Sequence, residues 1–329
     1  MQVPPFLLRS LGRFFLPGGP KARLSILMYH DVLESPDYLR PGISTIQAFE
    51  QDMAVLARHF NVLSLDEAVD GLDRGTLPPR SVVISFDDGY LASVRNAVPI
   101  LKRYGFSAIW YLVPSLIEGG QLWVDRATEA IRRLPAGDLD LTEFGLGRFE
   151  VIDDQSRKQL FARVEAAFYG RSQADQFAMA DFLVDQVDGE VPELAMLNAE
   201  QVRELDASGM EIGSHTHSHP VLSQLADDQA ESEIARGRDG LERLLGREVR
   251  HFAYPVGRPG KDFSGVHVDQ AERLGMASAV TTGWGTATSA TDRFQLPRFT
   301  PWDRDPLRYV LRMFWNGSRV TADIQARGA

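Results

Sequence analysis

An apolar run, Val82-Val83-Ile84, ends at two adjacent carboxylates, Asp87 and Asp88, followed by Gly89. A run apolar at successive positions suits a strand buried on both faces, and such strands belong to sheets covered by helices. Neighbouring segments keep the same rhythm. Leu24 to Met28 is apolar and ends at Tyr29-His30-Asp31, and Phe106 to Val113 follows a helical stretch, Leu91 to Tyr104, closed by Gly105. This strand–helix–strand alternation implies βα units and parallel strands. Short strands are also expected at Val62-Leu63, before the histidines at Met210-Glu211-Ile212, at Val249 to Tyr254, at 277–282 and at Leu296 to Phe299. Pro99 is expected to kink or shorten the helix that contains it.

Helix starts are signalled by Ser44 with Gln47, Ser64 with Glu67, and Asn198 with Gln201, each a capping-box spacing. Loops are expected at 33–43 and 115–125, and a helix at Arg126 to Leu134. A long charged helix is expected at 227–245, a short one at 268–274, and a terminal one opened by Pro306. Residues 135–196 break the alternation and read as a helical insertion, with Phe161, Val164, Ala167 and Phe168 on one face. The expected organisation is a leader over residues 1–23 and one α/β domain over 24–329, with that insertion inside it.

Composition narrows the function. With 44% hydrophobic residues the chain can bury a large core, and its net charge of −10 argues against a general nucleic-acid surface. It has no cysteine, which excludes disulfides and thiolate metal sites. The first residues hold neither an apolar run long enough to span a membrane nor a secretory core of roughly 7–15 apolar residues. Residues 6–16 fit either a loosely packed leader or a short basic amphipathic helix resting on a membrane surface. The expected location is cytoplasmic or membrane-peripheral, and the sequence does not set the oligomeric state.

Two carboxylates side by side repel, and a cation between them relieves that. Three of the seven histidines fall within five positions, His215, His217 and His219. On a helical turn, side chains four apart share a face, so His215 and His219 can converge on one metal. Two histidines and a carboxylate leave open positions for water and substrate. Zn²⁺ suits such a set best, and Co²⁺, Ni²⁺ or Fe²⁺ also fit. The second carboxylate is then free to act as a general base. The plainer alternative makes Asp87-Asp88-Gly89 a turn or helix cap.

Three motifs taken together, Ser85-Phe86-Asp87-Asp88-Gly89, His215-Thr216-His217-Ser218-His219-Pro220 and Phe252-Ala253-Tyr254-Pro255-Val256-Gly257, resemble those of the polysaccharide deacetylases. This is carbohydrate esterase family 4, the NodB homology domain. The resemblance covers about residues 24–300 without the insertion. It implies a distorted, incomplete (β/α) barrel and metal-dependent removal of N-acetyl groups from the sugars of a glycan. Carried over by position, Asp87 matches the general base, and Asp88, His215 and His219 match the metal ligands. His217 becomes a bystander. Val256 stands where the family often has Tyr, at a position whose backbone N–H helps hold the oxyanion.

A further departure is that no histidine follows residue 267, whereas many members use a late one to protonate the leaving amine. The early Tyr29-His30 resembles the exopolysaccharide deacetylase branch and makes His30 the expected acid. Trp123, Asp125, Trp284 and Trp302 are candidates for lining a sugar site or for packing, and Arg298 for pairing with Asp87. Two rival readings keep the fold. One is hydrolysis of small cyclic amides, and the other is glycan binding without catalysis.

Overall fold

The computed structural model describes residues 12–319. Twelve strands are described, beginning with β1 (Leu24–Tyr29), β2 (Val32–Leu33), β3 (Ser44–Thr45), β4 (Asn61–Val62), β5 (Ser81–Asp88) and β6 (Ile109–Leu112). They continue with β7 (Gly137–Leu141), β8 (Gly147–Val151), β9 (Glu211–Ser214), β10 (His251–Ala253), β11 (Ser278–Val280) and β12 (Arg298–Phe299). The main sheet runs β11-β10-β9-β6-β5-β1-β12, with every pairing parallel. β4 pairs with the start of β5, beneath β6. The edges approach closure where Thr281 N–H donates to Leu296 O at 2.8 Å and Leu296 N–H to Ala279 O at 2.9 Å. The result is the nearly closed α/β barrel that the sequence implied.

Alternation along β5 explains why a run apolar at successive positions is needed. Val82, Ile84 and Phe86 pack outward, where Phe86 stacks on Trp110 with ring centroids 4.5 Å apart. Val83 packs inward with Ile26, Ile109, Tyr111, Ala253 and Val280. Ser85 and Asp87, at the same parity as Val83, therefore belong to the barrel interior.

Several local expectations change. Helix 46–59 is capped by Thr45, whose hydroxyl accepts from Ala48 N–H, one residue later than the expected Ser44. The Ser64–Glu67 and Asn198–Gln201 capping boxes both form. Pro99 neither ends nor shortens its helix, which runs Leu91–Tyr104 to a left-handed Gly105. The expected loop at 115–125 instead holds helical turns: Pro114–Ile117 is a short helix, and Trp123, Val124 and Asp125 open helix Trp123–Arg133. That second start has no side-chain cap to announce it, since Leu122 is the capping residue.

The 135–196 segment is not all helical. β7 and β8 form an antiparallel hairpin before helices Asp154–Phe168 and Gln173–Asp185. Only Leu139 and Leu141 of β7 are buried, so its strand pattern is two apolar residues among charges. The segment packs with helix Trp123–Arg133 around Ile131, Leu160, Val164, Met179 and Leu183. Of the expected amphipathic stretch at 6–16, residues 6–11 lie outside the described residues, while 12–15 are helical. Among the described residues no helix is long and apolar enough to cross a membrane.

Beneath β1, Tyr29 donates its hydroxyl to Asp52 Oδ2 at 3.1 Å. Burial pushes the Asp52 carboxyl up from 3.8 to about 7, against the pull of Tyr29 and Arg304. A carboxyl raised in the fold binds its proton more tightly there than in the unfolded chain, so stability falls as pH rises through this window. Asp52→Asn keeps an acceptor for Tyr29 and removes the charging cost. Relative to the parent, it is expected to gain up to about 4 kcal/mol between pH 4 and pH 7 in urea unfolding. A constant difference across that range would refute the assignment.

Candidate metal centre and cleft

Strand register brings two distant motifs to one end of the barrel. Asp88 pairs with Leu112 and Leu112 with Ser214, so His215 leaves β9 one step past the level of Asp88, two strands away. Tyr29 pairs with Phe86, which brings His30, just beyond β1, beside Asp87. The C-terminal ends of parallel strands are where barrel folds concentrate their chemistry.

The backbone is bent to make this arrangement. Asp88, Thr216, His219 and Val256 have φ of 73°, 63°, 61° and 60°, and Arg80 is the one other described non-glycine residue with positive φ. Each costs on the order of 1 kcal/mol or more, and such strain clusters where side chains must be aimed. The histidine loop is held from below. Thr216 Oγ1 accepts from His219 N–H at 3.0 Å, and Glu233 accepts from His217 and Ser218 N–H at 3.1 and 2.9 Å. Helix 227–245 reaches this loop only because Gly237 has no Cβ, which would lie 2.5 Å from the Thr216 carbonyl carbon.

His215 and His219 direct their Nε2 atoms at Asp88 Oδ1, at 3.7 and 3.5 Å. The facing ligand atoms all lie within 4.8 Å of one another. His215 Nδ1 lies 2.7 Å from Ala253 O, which fixes the ring and leaves Nε2 as the free donor of electrons. Burial drives both imidazoles down to about 4, so both are neutral near pH 7, as a metal ligand must be. Burial also raises Asp88, whose Oδ1 is buried without a hydrogen-bond partner. Donor atoms about 2.0–2.2 Å from one tetrahedral ion stand roughly 3.3–3.6 Å apart. The orphaned oxygen, the neutral imidazoles and this spacing all fit a divalent cation.

Asp87 is treated differently. Arg298, fully buried, donates from Nη1 and Nη2 to its two oxygens at 2.7 Å each, and also to Ser85 Oγ and Thr281 O at 3.1 and 3.3 Å. Burial pushes Asp87 upward, but Arg298 and His215 outweigh it and bring the carboxyl down from 3.8 to about 2.

The trio opens into a cleft of about 680 Å³ that His30, Asp87, Val256 and Trp284 also line. Trp302 packs against Trp284, ring centroids 4.9 Å apart, just outside it. His217 is not part of the cleft and faces a separate depression with Glu118 and Arg236. Asp125 lines the cleft, accepts from Tyr90 Oη at 2.8 Å and lies 3.5 Å from Arg40, and burial raises it to about 7. Arg40 was not visible as a site residue in the sequence; its one signal is the Asp37–Arg40 spacing inside an apparent loop.

A second acidic and histidine group, Asp66, Glu211 and His251, sits at the opposite end of the barrel. Its lone pairs are already used. Glu211 accepts from Leu65 and Asp66 N–H at 2.6 and 3.0 Å, and Arg250 pairs with Asp66 at 2.5 Å. It ties helix 65–73 to β9 and β10.

The chain is thus a nearly closed parallel α/β barrel with an Asp-His-His cluster beside an arginine-held carboxylate. This chain belongs to the polysaccharide deacetylase family, whose model matches residues 74–146 and 152–279. YxkH of Bacillus subtilis (strain 168), named as a polysaccharide deacetylase, is 23% identical over 279 residues, covering 84% of this chain and 71% of YxkH. The Streptococcus pyogenes deacetylase PplD, solved in complex with acetate, superposes with a TM-score of 0.61 at 22% identity, covering 89% of this chain and 99% of PplD. IcaB from Ammonifex degensii gives 0.55 at 20%, covering 91% and 98%.

Proposed function

We propose that residues 24–329 form one catalytic unit that removes N-acetyl groups from amino sugars of a polysaccharide or oligosaccharide, in exopolysaccharide or envelope-glycan metabolism. The observation that carries this is Asp88, His215 and His219 converging beside a second carboxylate locked by Arg298. Asp88, His215 and His219 would hold the divalent cation, with Zn²⁺ the best match to two imidazoles and a carboxylate. When bound, such an ion supplies Lewis-acid polarisation of a carbonyl and acidifies water.

The chain's own groups do the rest. Asp87 takes a proton from the water that attacks the acetamide carbon. Its low pKa keeps it ionised throughout the working range, at some expense in basic strength. The Val256 N–H donates to the oxyanion as the carbonyl becomes tetrahedral. His30 gives its proton to the departing amine nitrogen, and the C–N bond breaks to leave acetate and a free amino sugar.

The test is acetate release from N-acetylglucosamine oligomers by protein loaded in turn with Zn²⁺, Co²⁺ and Ni²⁺. Release is expected with at least one ion and is expected to stop on chelation. His30→Ala is expected to slow it about 10²–10⁴-fold, the range for losing a positioned acid. No release with any of the three ions would overturn the reading. An unaltered rate in His30→Ala would move the acid elsewhere.

A further inference from the structure

The 135–196 segment reaches the cleft, and it does so with a pattern. Phe161, Glu165 and Tyr169, at i, i+4 and i+8 along and just past helix Asp154–Phe168, all line the cleft that holds the metal-binding trio. Residues at this spacing form one stripe on a helix face. Two aromatic rings therefore bracket a carboxylate opposite the barrel motifs.

This wall is fixed to the loops that carry the chemistry. The Arg258 guanidinium lies 4.2 Å from the Tyr169 ring centroid, two residues past Val256, and is itself held by Asp262 at 2.8 and 2.9 Å. Gln173 donates from Nε2 to Ser218 O at 2.6 Å, inside the histidine motif. The stripe is thus part of the cleft's built geometry.

Among the described residues, Glu165 is the acid in this cleft with no facing side-chain partner. Asp87 has Arg298, Asp125 has Arg40, and Asp88 faces two imidazoles. The exposed Glu165 carboxylate has no hydrogen-bond or ion-pair partner among the described residues, and desolvation by its surroundings pushes its pKa up. A neutral sugar unit stacked on the rings would leave that charge uncompensated, whereas an ammonium group would pair with it. Within a glycan being deacetylated, the available ammonium belongs to a unit whose acetyl group has already gone.

We propose that Phe161, Glu165 and Tyr169 form a glycan subsite that takes a cationic, already deacetylated amino-sugar unit beside the unit under attack. The inference rests on the deacetylase reading above. It makes partly deacetylated chains better substrates than fully acetylated ones, so that removal of one acetyl group favours removal of the next.

The experiment uses the full, metal-loaded chain and tetramers of N-acetylglucosamine, either fully acetylated or with one glucosamine at the reducing or the non-reducing end. One mixed tetramer is expected to exceed the fully acetylated one in kcat/KM by about tenfold, the scale of one charge-assisted hydrogen bond. Glu165→Gln is expected to bring that ratio close to one. Equal losses on every tetramer, or an unchanged ratio, would overturn the subsite. Calorimetric binding of the all-glucosamine tetramer gives a readout without turnover, and Glu165→Gln is expected to weaken it about tenfold. Equal binding by parent and variant, or none by the parent, also overturns the subsite. Absence of acetate release from every tetramer counts against the deacetylase reading alone.

Discussion

On the proposed mechanism, Asp87→Asn releases acetate from N-acetylglucosamine oligomers about 10²–10⁴-fold more slowly than the parent, at saturating metal. The same change has a second consequence, because Arg298 is fully buried and Asp87 is its counter-ion. Removing one partner of a buried pair costs about 3–5 kcal/mol, since the other charge is left uncompensated. A loss of activity in this variant alone would therefore be ambiguous between missing base and damaged fold. Asp87→Asn combined with Arg298→Met separates the two. Replacing both partners with uncharged groups of similar size leaves no lone buried charge. The double variant is expected to recover most of the urea midpoint and none of the acetate release. Recovery of activity together with stability would remove Asp87 from the chemistry.

The motifs that define the centre were legible because each is short and contiguous. Asp87 and Asp88 follow an apolar strand directly, and His215 and His219 fall within five positions, so type and spacing carry the signal, although the two imidazoles converge from an irregular loop with positive φ at Thr216 and His219 and not from a helical turn. The parallel βα units were legible because parallel strands must alternate with covering helices, while closure into a barrel was implied by the family resemblance. What could not be read is what depends on register between distant segments. Arg298 was a candidate partner for Asp87, 211 residues away, and that pair forms, but Arg40, which meets Asp125, carried no such signal. No local pattern distinguishes such an arginine from a surface one. The β7–β8 hairpin escaped because its buried side amounts to Leu139 and Leu141 on one strand and Val151 on the other. Trp123 and Asp125 looked like loop residues because their helix begins without a capping side chain. Of the Phe161–Glu165–Tyr169 stripe only Phe161 entered the sequence reading, on a face with Val164, Ala167 and Phe168. Periodicity alone shows a face and not what that face borders.

Arg298→Met alone is expected to have the largest effect on stability, and its pH dependence identifies the cause. In the parent, Asp87 is depressed from 3.8 to about 2. A carboxyl depressed in the fold contributes stability that is present above the unfolded pKa and is lost as pH falls through the folded one. Here that contribution is about 2 kcal/mol, lost between about pH 4 and pH 2. Without Arg298, burial is the largest influence left on Asp87, and burial raises its pKa. The linkage then changes sign: the folded state binds the proton more tightly than the unfolded chain, and stability declines as pH rises above about 4. Metal-free Arg298→Met is expected to be about 3–5 kcal/mol less stable than the parent at pH 7. The gap should narrow steadily towards pH 4, as the unpaired carboxyl takes up its proton in the folded variant. Urea midpoints taken at intervals from pH 4 to pH 8 read this directly. A gap that stays constant with pH would mean that Arg298 stabilises the barrel through its packing and its bonds to Ser85 and Thr281, and not through the charge on Asp87.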